Sequence, residues 1–308
     1  MNNIICIAGP TASGKTALAV ELAKEFNGEV VSCDSMQVYK RMDIGTAKPT
    51  MEERQGIPHH MLDVAEPEED FSVSRYCAMA GPIVDDILAR GKTAIIAGGT
   101  GLYMDSLIRG NEFAPFPSTG RREELEHRAD TEGIEVLMNW LLQIDPDTAA
   151  RLHLSDRKRI IRALEIYLET GETMTAHNLK TQAIPPKYSP LWLGLDFAER
   201  SELYRRIDLR VEIMLETGLI QEIKALLSDG IPAKCTAMQA IGYKEFVAAL
   251  EGQCSIQEAA ALVQQSSRRY AKRQLTWFRR NPGMNWLTRD GGEEILLKAR
   301  RVIQDSDN

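Results

Sequence analysis

Eight residues near the start of the chain have the types and spacing of a phosphate-binding loop. They are Gly9, Pro10, Thr11, Ala12, Ser13, Gly14, Lys15 and Thr16, and they fit the pattern of a P-loop. Backbone N–H groups of such a loop surround an anion, and Lys15 can reach its outer phosphate. The hydroxyl of Thr16 can bind a magnesium ion that bridges the same oxygens. The loop therefore predicts a bound diphosphate or triphosphate together with Mg²⁺.

Two further polar clusters each follow an apolar run that is typical of a buried strand. The first cluster is Asp34, Ser35, Met36 and Gln37, and the second is Gly98, Gly99, Thr100 and Gly101. Ligands bind at the carboxyl ends of the strands in a parallel sheet, so we expect both clusters beside the P-loop. The Asp34 carboxylate could bind magnesium through water, accept a proton from a nucleophile, or simply cap a turn. Thr100 is either a turn residue or a hydroxyl that faces the ligand.

A basic and aromatic segment lies near the end of the chain. Six of the thirteen residues from 268 to 280 are Lys or Arg, and Tyr270, Trp277 and Phe278 lie between them. Cations for phosphates and aromatic rings for stacking on bases are the composition of an RNA contact surface. A second basic stretch, 157 to 162, is better explained, taken alone, by a solvated helix face, with Ile160 and Ile161 on the buried side of that helix.

The elements that must position these residues alternate between strand and helix. Apolar runs predict strands at 4–8, 29–33 and 93–97, with amphipathic helices at 14–26 and 74–90. This order is typical of an α/β fold with a parallel sheet flanked by helices. Residues 116–186 are predicted to form an all-helical insertion domain, and 1–115 with 187–308 to form the P-loop core. Within that core, 191–195 is predicted to be another strand, and the region after residue 195 is predicted to be helical. Ser255 and Glu258 form a capping box there, and we expect Ser155 to cap the basic helix of the insertion.

Composition limits the remaining possibilities. The chain has 308 residues and a formal net charge of -7, so nucleic acid could bind only where cations are locally concentrated. The five cysteines include no Cys-x-x-Cys pair, and we expect most of them to be small core residues. The adjacent His59 and His60 are predicted to be structural rather than metal ligands. We expect a cytoplasmic protein without a membrane segment.

Together these motifs resemble those of the bacterial tRNA dimethylallyltransferase family. The resemblance rests on 9–16, 34–39, 42–49, 59–60, 98–103, 159–164, 242–243 and 270–279, in the family's order. It covers nearly the whole chain. It implies a P-loop core with a helical insertion, and a reaction in which a dimethylallyl group moves from dimethylallyl diphosphate to the N6 amine of the adenine 3′ of the anticodon.

The resemblance also implies roles for individual residues. Asp34 would be the general base, and Lys15, Thr16, Thr100 and Arg122 would act near the reacting atoms, with Mg²⁺ on Thr16. The tRNA anticodon stem-loop would contact Asp34, Ser35, Met36, Gln37, Thr100, Arg122, Lys158, Arg159, Ile160, Ile161, Arg162, Gln239, Ala240, Ile241, Gly242, Tyr243, Lys244, Lys272, Arg273, Gln274, Trp277 and Arg279. We expect a monomer.

Two other classes of function share part of this pattern. A P-loop kinase for a nucleotide or another small metabolite would use the same loop, magnesium and an acidic base. It would not need the basic, aromatic segment near the end of the chain. A non-catalytic RNA-binding module could use a bound nucleotide as a switch. Transfer of a labelled dimethylallyl group to tRNA without ATP would separate these hypotheses.

Overall fold

The computed structural model describes residues 3–111, 119–291 and 294–306. Its six strands form one parallel sheet in the order β3-β2-β4-β1-β5-β6. The strands are β1 Ile4–Ala8, β2 Gly28–Cys33, β3 His59–His60, β4 Thr93–Gly98, β5 Leu191–Phe197 and β6 Met284–Arg289. The predicted α/β class with a parallel sheet is confirmed.

Fourteen helices are present in the described ranges. They are α1 Lys15–Glu25, α2 Met51–Arg54, α3 Val73–Ala89, α4 Gly101–Arg109, α5 Arg121–Thr131, α6 Ile134–Ile144, α7 Pro146–Ala149, α8 Arg157–Thr170, α9 Met174–Ala183, α10 Arg200–Glu216, α11 Leu219–Ser228, α12 Tyr243–Leu250, α13 Ile256–Phe278 and α14 Ile295–Ser306, with a short 3₁₀ turn at Ala237–Gln239. None of these helices is long and apolar enough to cross a bilayer.

The sheet brings the three polar clusters to one edge. Strand β1 lies at the point where the order reverses, with β4 on one side and β5 on the other, which is where ligands bind in such sheets. The last residues of the strands are in register, since Gly98 pairs with both Ala8 and Cys33. The P-loop, Asp34 and Thr100 therefore follow neighbouring strand ends, as predicted.

The central strands β1 and β4 are largely apolar because helices cover both faces of the sheet. On β1, Cys6 and Ala8 belong to one hydrophobic core, and Ile5 and Ile7 belong to another on the opposite face. Helix α1 contributes Leu22 to the second core and is followed by Asn27 at a left-handed φ of 48°. These two cores fix the carboxyl end of β1, and with it the start of the P-loop.

The chain divides into two compact units, one of residues 1–110 with 187–308 and one of residues 111–186. The second unit is helical in its described part, with a core that includes Leu125, Leu137, Leu141 and Leu164. Asp145 caps α7, where it accepts from the backbone N–H of Thr148 at 3.2 Å. The predicted boundary at 115/116 lies outside the described residues.

Three sequence-based expectations need correction. The region after residue 195 is not entirely helical, because β6 pairs with β5; only Met284 and Leu287 of β6 are buried, so no apolar run marks it. Asp156, rather than Ser155, precedes α8. Only two of the five cysteines, Cys6 and Cys33, are buried, while Cys77, Cys235 and Cys254 are partly exposed.

Candidate active site

The P-loop between β1 and α1 has the conformation of an anion-binding loop. Ala12 and Gly14 have φ angles of 63° and 88°. A side chain at Gly14 would be strained by that angle, and its Cβ would lie 2.8 Å from an Nη atom of Arg289. The hydroxyl of Ser13 is buried and has no hydrogen-bond partner in the described structure. A buried polar atom of this kind is costly unless a ligand satisfies it.

Lys15 begins α1 and forms no ion pair with any described residue. Its Nζ donates to the carbonyl oxygen of Pro10 at 2.7 Å. Burial and the nearby Arg210 together lower the pKa of Lys15 to about 7, although Asp34 opposes the shift. A desolvated ammonium beside a second cation favours the entry of an anion.

A cavity of about 510 Å³ opens over the P-loop, and we call it the phosphate cavity. Its wall includes residues 11–16, Asp34, Gly98, Gly99, Glu53, Arg205, Arg206, Arg210 and Gln274. Lys15 and the three arginines of α10 outnumber the two carboxylates, so the cavity suits a multiply charged anion. Burial lowers the pKa of Arg210, while Asp34 and Glu53 oppose the change. The α10 arginines were not predicted from the sequence, because nothing in their spacing differs from a solvated helix face.

A second, more apolar cavity of about 290 Å³ adjoins the first, and we call it the apolar cavity. It brings together segments that the sequence analysis assigned separately to tRNA: Asp34, Ser35 and Met36, then Gln239, Ala240 and Ile241, then Arg273. Val211, Met214 and Val263 supply apolar surface. Thr11, Asp34, Arg210 and Tyr270 line both cavities. The Asp34 carboxyl group therefore lies between a cationic compartment and an apolar one.

Asp34 caps its own turn and keeps one oxygen available. Its Oδ1 accepts from the backbone N–H groups of Met36 and Gln37, at 2.9 and 3.4 Å. Within the described residues Oδ2 has no hydrogen-bond partner. Thr100 supports the same turn, since its Oγ1 accepts from the backbone N–H of Ser35 at 3.0 Å. The turn is thus fixed while the second oxygen can accept a proton.

A loop of residues 43–47 closes the walls of both cavities, and Glu222 of α11 holds it. Glu222 accepts from the N–H groups of Asp43 and Ile44, each at 2.8 Å, and from Gly45 at 3.2 Å. It also accepts from the hydroxyl of Tyr243 at 2.6 Å. Glu222 was not predicted from the sequence, because no local pattern shows which backbone N–H groups a distant carboxylate will bind.

The same loop receives donors from the cavity side. Nε2 of Gln37 donates to the carbonyl oxygens of Thr46 and Ala47, at 3.3 and 3.1 Å. An Nη atom of Arg210 donates to Thr46 O at 3.3 Å. The position of Arg210 in the phosphate cavity therefore depends on the loop that Glu222 holds.

Helix α13 carries four of the residues assigned to tRNA, and Arg279 directly follows it. Lys272, Arg273 and Arg279 are exposed, and Trp277 donates through Nε1 to Asp105 at 2.8 Å. Gln274 is instead buried, with 5% of its surface exposed, and hydrogen-bonds to backbone of the P-loop and of Gly99. Its side chain supports the phosphate cavity rather than presenting itself to a large partner.

The segment from 239 to 244 is mixed in character. Gln239 and Lys244 are exposed, and Ile241 is partly buried. Ala240, Gly242 and Tyr243 are buried, and the Tyr243 hydroxyl is used by Glu222. Any direct contact between tRNA and protein side chains of this segment would therefore come from its exposed members.

The remaining assigned residues lie in the helical insertion. Lys158 and Arg159 are exposed on α8, whereas Ile160 and Ile161 are buried in the core of this unit. Arg162 pairs with Glu165 at 2.8 Å. The side chain of Arg122 is 51% exposed and lies 3.5 Å from the same carboxylate. The two isoleucines therefore support the helix, and the basic side chains form its surface.

Comparison with known proteins gives one consistent result. A family model for IPP transferases matches residues 37–281. The chain is 45% identical to the tRNA dimethylallyltransferase of Acetivibrio thermocellus, over 97% of this chain and 96% of that one. It is 47% identical to the tRNA dimethylallyltransferase of a Thermoanaerobacter species, over 98% and 96%.

Solved structures agree with these relatives. The tRNA isopentenylpyrophosphate transferase of Bacillus halodurans has a TM-score of 0.72 and 41% identity, covering 99% of this chain and 98% of that one. A eukaryotic dimethylallyltransferase acting on tRNA has a TM-score of 0.83 and 32% identity, covering 100% of this chain and 79% of that one. Because the family model matches most of its length, the chain belongs to the IPP transferase family.

Proposed function

We propose that this protein transfers a dimethylallyl group from dimethylallyl diphosphate to the N6 amine of the adenine 3′ of the anticodon in tRNA. The observation that carries the proposal is the position of Asp34 between the phosphate cavity and the apolar cavity. The names of the relatives support the same reaction. They do not favour the kinase alternative.

The phosphate cavity would hold the diphosphate and stabilise it as a leaving group. Lys15 has no counter-ion in the described structure, and Arg206 and Arg210 line the same wall. When the allylic C–O bond breaks, its electron pair goes to the diphosphate, and these cations stabilise the new charge. The allylic carbon tolerates developing positive charge, so alignment with the amine is the other main requirement.

Asp34 would act as the general base. The N6 lone pair is delocalised into the adenine ring, so the amine is a weak nucleophile. As the new C–N bond forms, the amine loses a proton, which the free Oδ2 of Asp34 can accept. A positioned base of this kind contributes about 10²- to 10⁴-fold in rate.

The residues of the P-loop fit a magnesium ion. Mg²⁺ keeps several waters and binds through one or two protein ligands together with substrate phosphates. The hydroxyl of Thr16 lines the phosphate cavity and supplies one such oxygen ligand, and the unpartnered Ser13 hydroxyl adds a donor for phosphate. Thr16 would hold the ion, which would neutralise charge on the diphosphate.

The anticodon stem-loop would bind the exposed cations of α13, with Gln239 and Lys244 at the rim of the apolar cavity. The target adenine must leave its stack to reach Asp34, and the apolar walls of that cavity suit a purine ring. The net charge of -7 makes this local cluster of cations necessary for RNA binding. We propose a cytoplasmic monomer.

The proposal is tested with purified protein, Mg²⁺, labelled dimethylallyl diphosphate and unmodified tRNA, without ATP. We expect label on tRNA, and mass spectrometry of its nucleosides should show a dimethylallyl group on adenosine. An Asp34→Asn protein serves as the control. Transfer of phosphate from ATP to a small acceptor, without any label on tRNA, would contradict the proposal.

A further inference from the structure

Three consecutive residues of the P-loop are each held by a side chain from a distant element. The backbone N–H of Thr11 donates to Oε1 of Gln274 at 2.9 Å. Nε of Arg206 donates to Ala12 O at 2.9 Å, and Nε of Arg289 donates to Ser13 O at 3.1 Å. These side chains belong to α13, α10 and β6. Side chains from the second half of the chain thus hydrogen-bond to the backbone of the P-loop.

The loop requires such support because its backbone is strained. Ala12 has a φ of 63°, a left-handed conformation that residues with a side chain rarely adopt. Conformations of this kind persist only where the surroundings determine them. Arg206 and Arg289 bind the carbonyl oxygens of Ala12 and its neighbour, and so hold the peptide planes of the strained turn.

Gln274 uses both ends of its amide. Besides accepting from Thr11, it donates through Nε2 to the carbonyl oxygen of Gly99 at 3.0 Å. A Cβ at Gly99 would lie 2.1 Å from that nitrogen, so a side chain there would displace the Gln274 amide. The Gln274 side chain joins the loops after β1 and β4, because its amide supplies an acceptor to one and a donor to the other.

We propose that Gln274, Arg206 and Arg289 are positioning residues that hold the P-loop in the conformation that binds the substrate's diphosphate. This inference rests on the proposed function. Arg206 also lines the phosphate cavity, so its charge acts on the anion directly. Because Gln274 carries no charge, its substitution separates the effect of loop position from that of charge. Gln274 also follows Arg273 in the chain, so its contact with Thr11 links the basic helix α13 to the P-loop.

The test compares Gln274→Met and Gln274→Ala with Gln257→Met, a matched control that is exposed in the first turn of α13. Inorganic diphosphate with Mg²⁺ is the probe, measured by titration calorimetry, and tRNA affinity and Tm are measured in parallel. We expect both Gln274 variants to bind diphosphate at least about tenfold more weakly, because buried backbone groups lose their partners. We expect tRNA affinity to change less than about threefold and the control to match the wild type.

Steady-state kinetics give a second readout that a general loss of folded protein would not produce. In the Gln274 variants the KM for dimethylallyl diphosphate should rise by a larger factor than kcat falls. If these variants do not fold, Arg289→Met replaces them, with Arg300→Met as the charge-matched control outside both cavities. Arg289→Met should weaken diphosphate binding at least about fivefold.

The outcomes separate the two proposals. If the wild type binds no diphosphate, the proposed function fails and this inference fails with it. If the wild type binds diphosphate and both the Gln274 and Arg289 variants bind it equally well, the positioning role is overturned while the proposed function stands.

Discussion

Two charged side chains at opposite ends of the sheet, the buried Glu29 and the partly buried Lys15, have opposite surroundings. Glu29, near the start of β2, has a side chain that is 4% exposed, forms ion pairs with Arg90 and Lys92 at 2.5 and 2.8 Å, and shares a hydrogen bond with His60 at 2.8 Å. Lys15, beyond the end of β1, has no ion-pair partner in the described structure. Hydrogen bonds from Arg90, Lys92 and His60 hold the pKa of Glu29 well below its ordinary range, whereas the pKa of Lys15 falls to about 7.

The difference distinguishes a structural charge from one that serves a ligand. A buried charge with all its partners in the protein contributes to folding and has little left for a substrate. A buried charge without a counter-ion costs stability, and a protein retains it where a ligand supplies the missing charge. By this comparison the Glu29 cluster supports the fold, whereas the surroundings of Lys15 suit the anion that we propose it binds.

The largest effect is expected from Asp34→Asn, which keeps an oxygen for the turn but removes the base. Turnover should fall at least about a hundredfold, with both substrates still bound, as measured by single-turnover kinetics and binding assays. Glu52→Gln, an exposed carboxylate that lines neither cavity, is the control and should change turnover less than about threefold. Near-normal turnover of the Asp34→Asn protein would remove Asp34 from the role of base.

Lys15→Met tests the ligand side of the comparison. Affinity for inorganic diphosphate should fall about a hundredfold, because a charge-assisted contact is lost. The Tm should stay the same or rise, since an apolar side chain replaces a cation that lacks a partner. Calorimetry and thermal melts give the two readings. A large drop in Tm would show that Lys15 supports the fold, and would contradict the distinction between Lys15 and Glu29.

Glu29→Gln tests the structural side. The free energy of unfolding should fall by about 2 kcal/mol at pH 7, less than for a fully buried pair because about a third of the Arg90 and Lys92 side chains is exposed. A depressed pKa stabilises the fold above the unfolded value of about 4.3 and ceases to do so as pH falls. The gap between wild type and variant should therefore shrink below about pH 4. Denaturant unfolding measures it, and kcat/KM should not change.

Arg273→Ala tests whether the exposed cations of α13 act on RNA separately from the phosphate cavity. Affinity for tRNA should fall, and the slope of its logarithm against the logarithm of salt concentration should decrease by about one. Affinity for dimethylallyl diphosphate should stay within about twofold. Equal loss of both ligands would argue against two separable surfaces.

The smallest expected effect is the uptake of a proton when diphosphate binds. At about pH 8 a Lys15 with a pKa of about 7 is mostly neutral in the free protein, and a bound diphosphate favours its charged form. Binding should therefore take up close to one proton, and Lys15→Arg should take up none. Calorimetry in buffers of different ionisation enthalpy measures this number. Equal uptake by both proteins would assign the proton to another group.

Local patterns predicted the parts of the site that depend on neighbouring residues. The P-loop, Asp34 and Thr100 each follow an apolar strand, and the sheet brings those strand ends together. Arg206, Arg210, Glu222 and Arg289 were not predicted, because each acts on backbone that is more than a hundred residues away in the chain. Their positions depend on tertiary packing, which no short pattern records.

Gln274 is one of the residues that the resemblance assigns to tRNA contact, and the local pattern already indicates that it is buried. Its neighbours at helical spacing, Ala271, Leu275 and Phe278, are buried, which places Gln274 on the inner side. The edge strand β6 was missed for a different reason, since a half-buried strand at the edge of a sheet has no continuous apolar run.

The most direct test of the account is a crystal structure of the protein with Mg²⁺, a non-reactive analogue of dimethylallyl diphosphate and an unmodified anticodon stem-loop. The account predicts the diphosphate in the phosphate cavity within hydrogen-bond distance of Lys15, and the N6 amine of a flipped adenine within hydrogen-bond distance of Asp34. A diphosphate bound elsewhere, or an adenine whose amine is out of reach of Asp34, would contradict it.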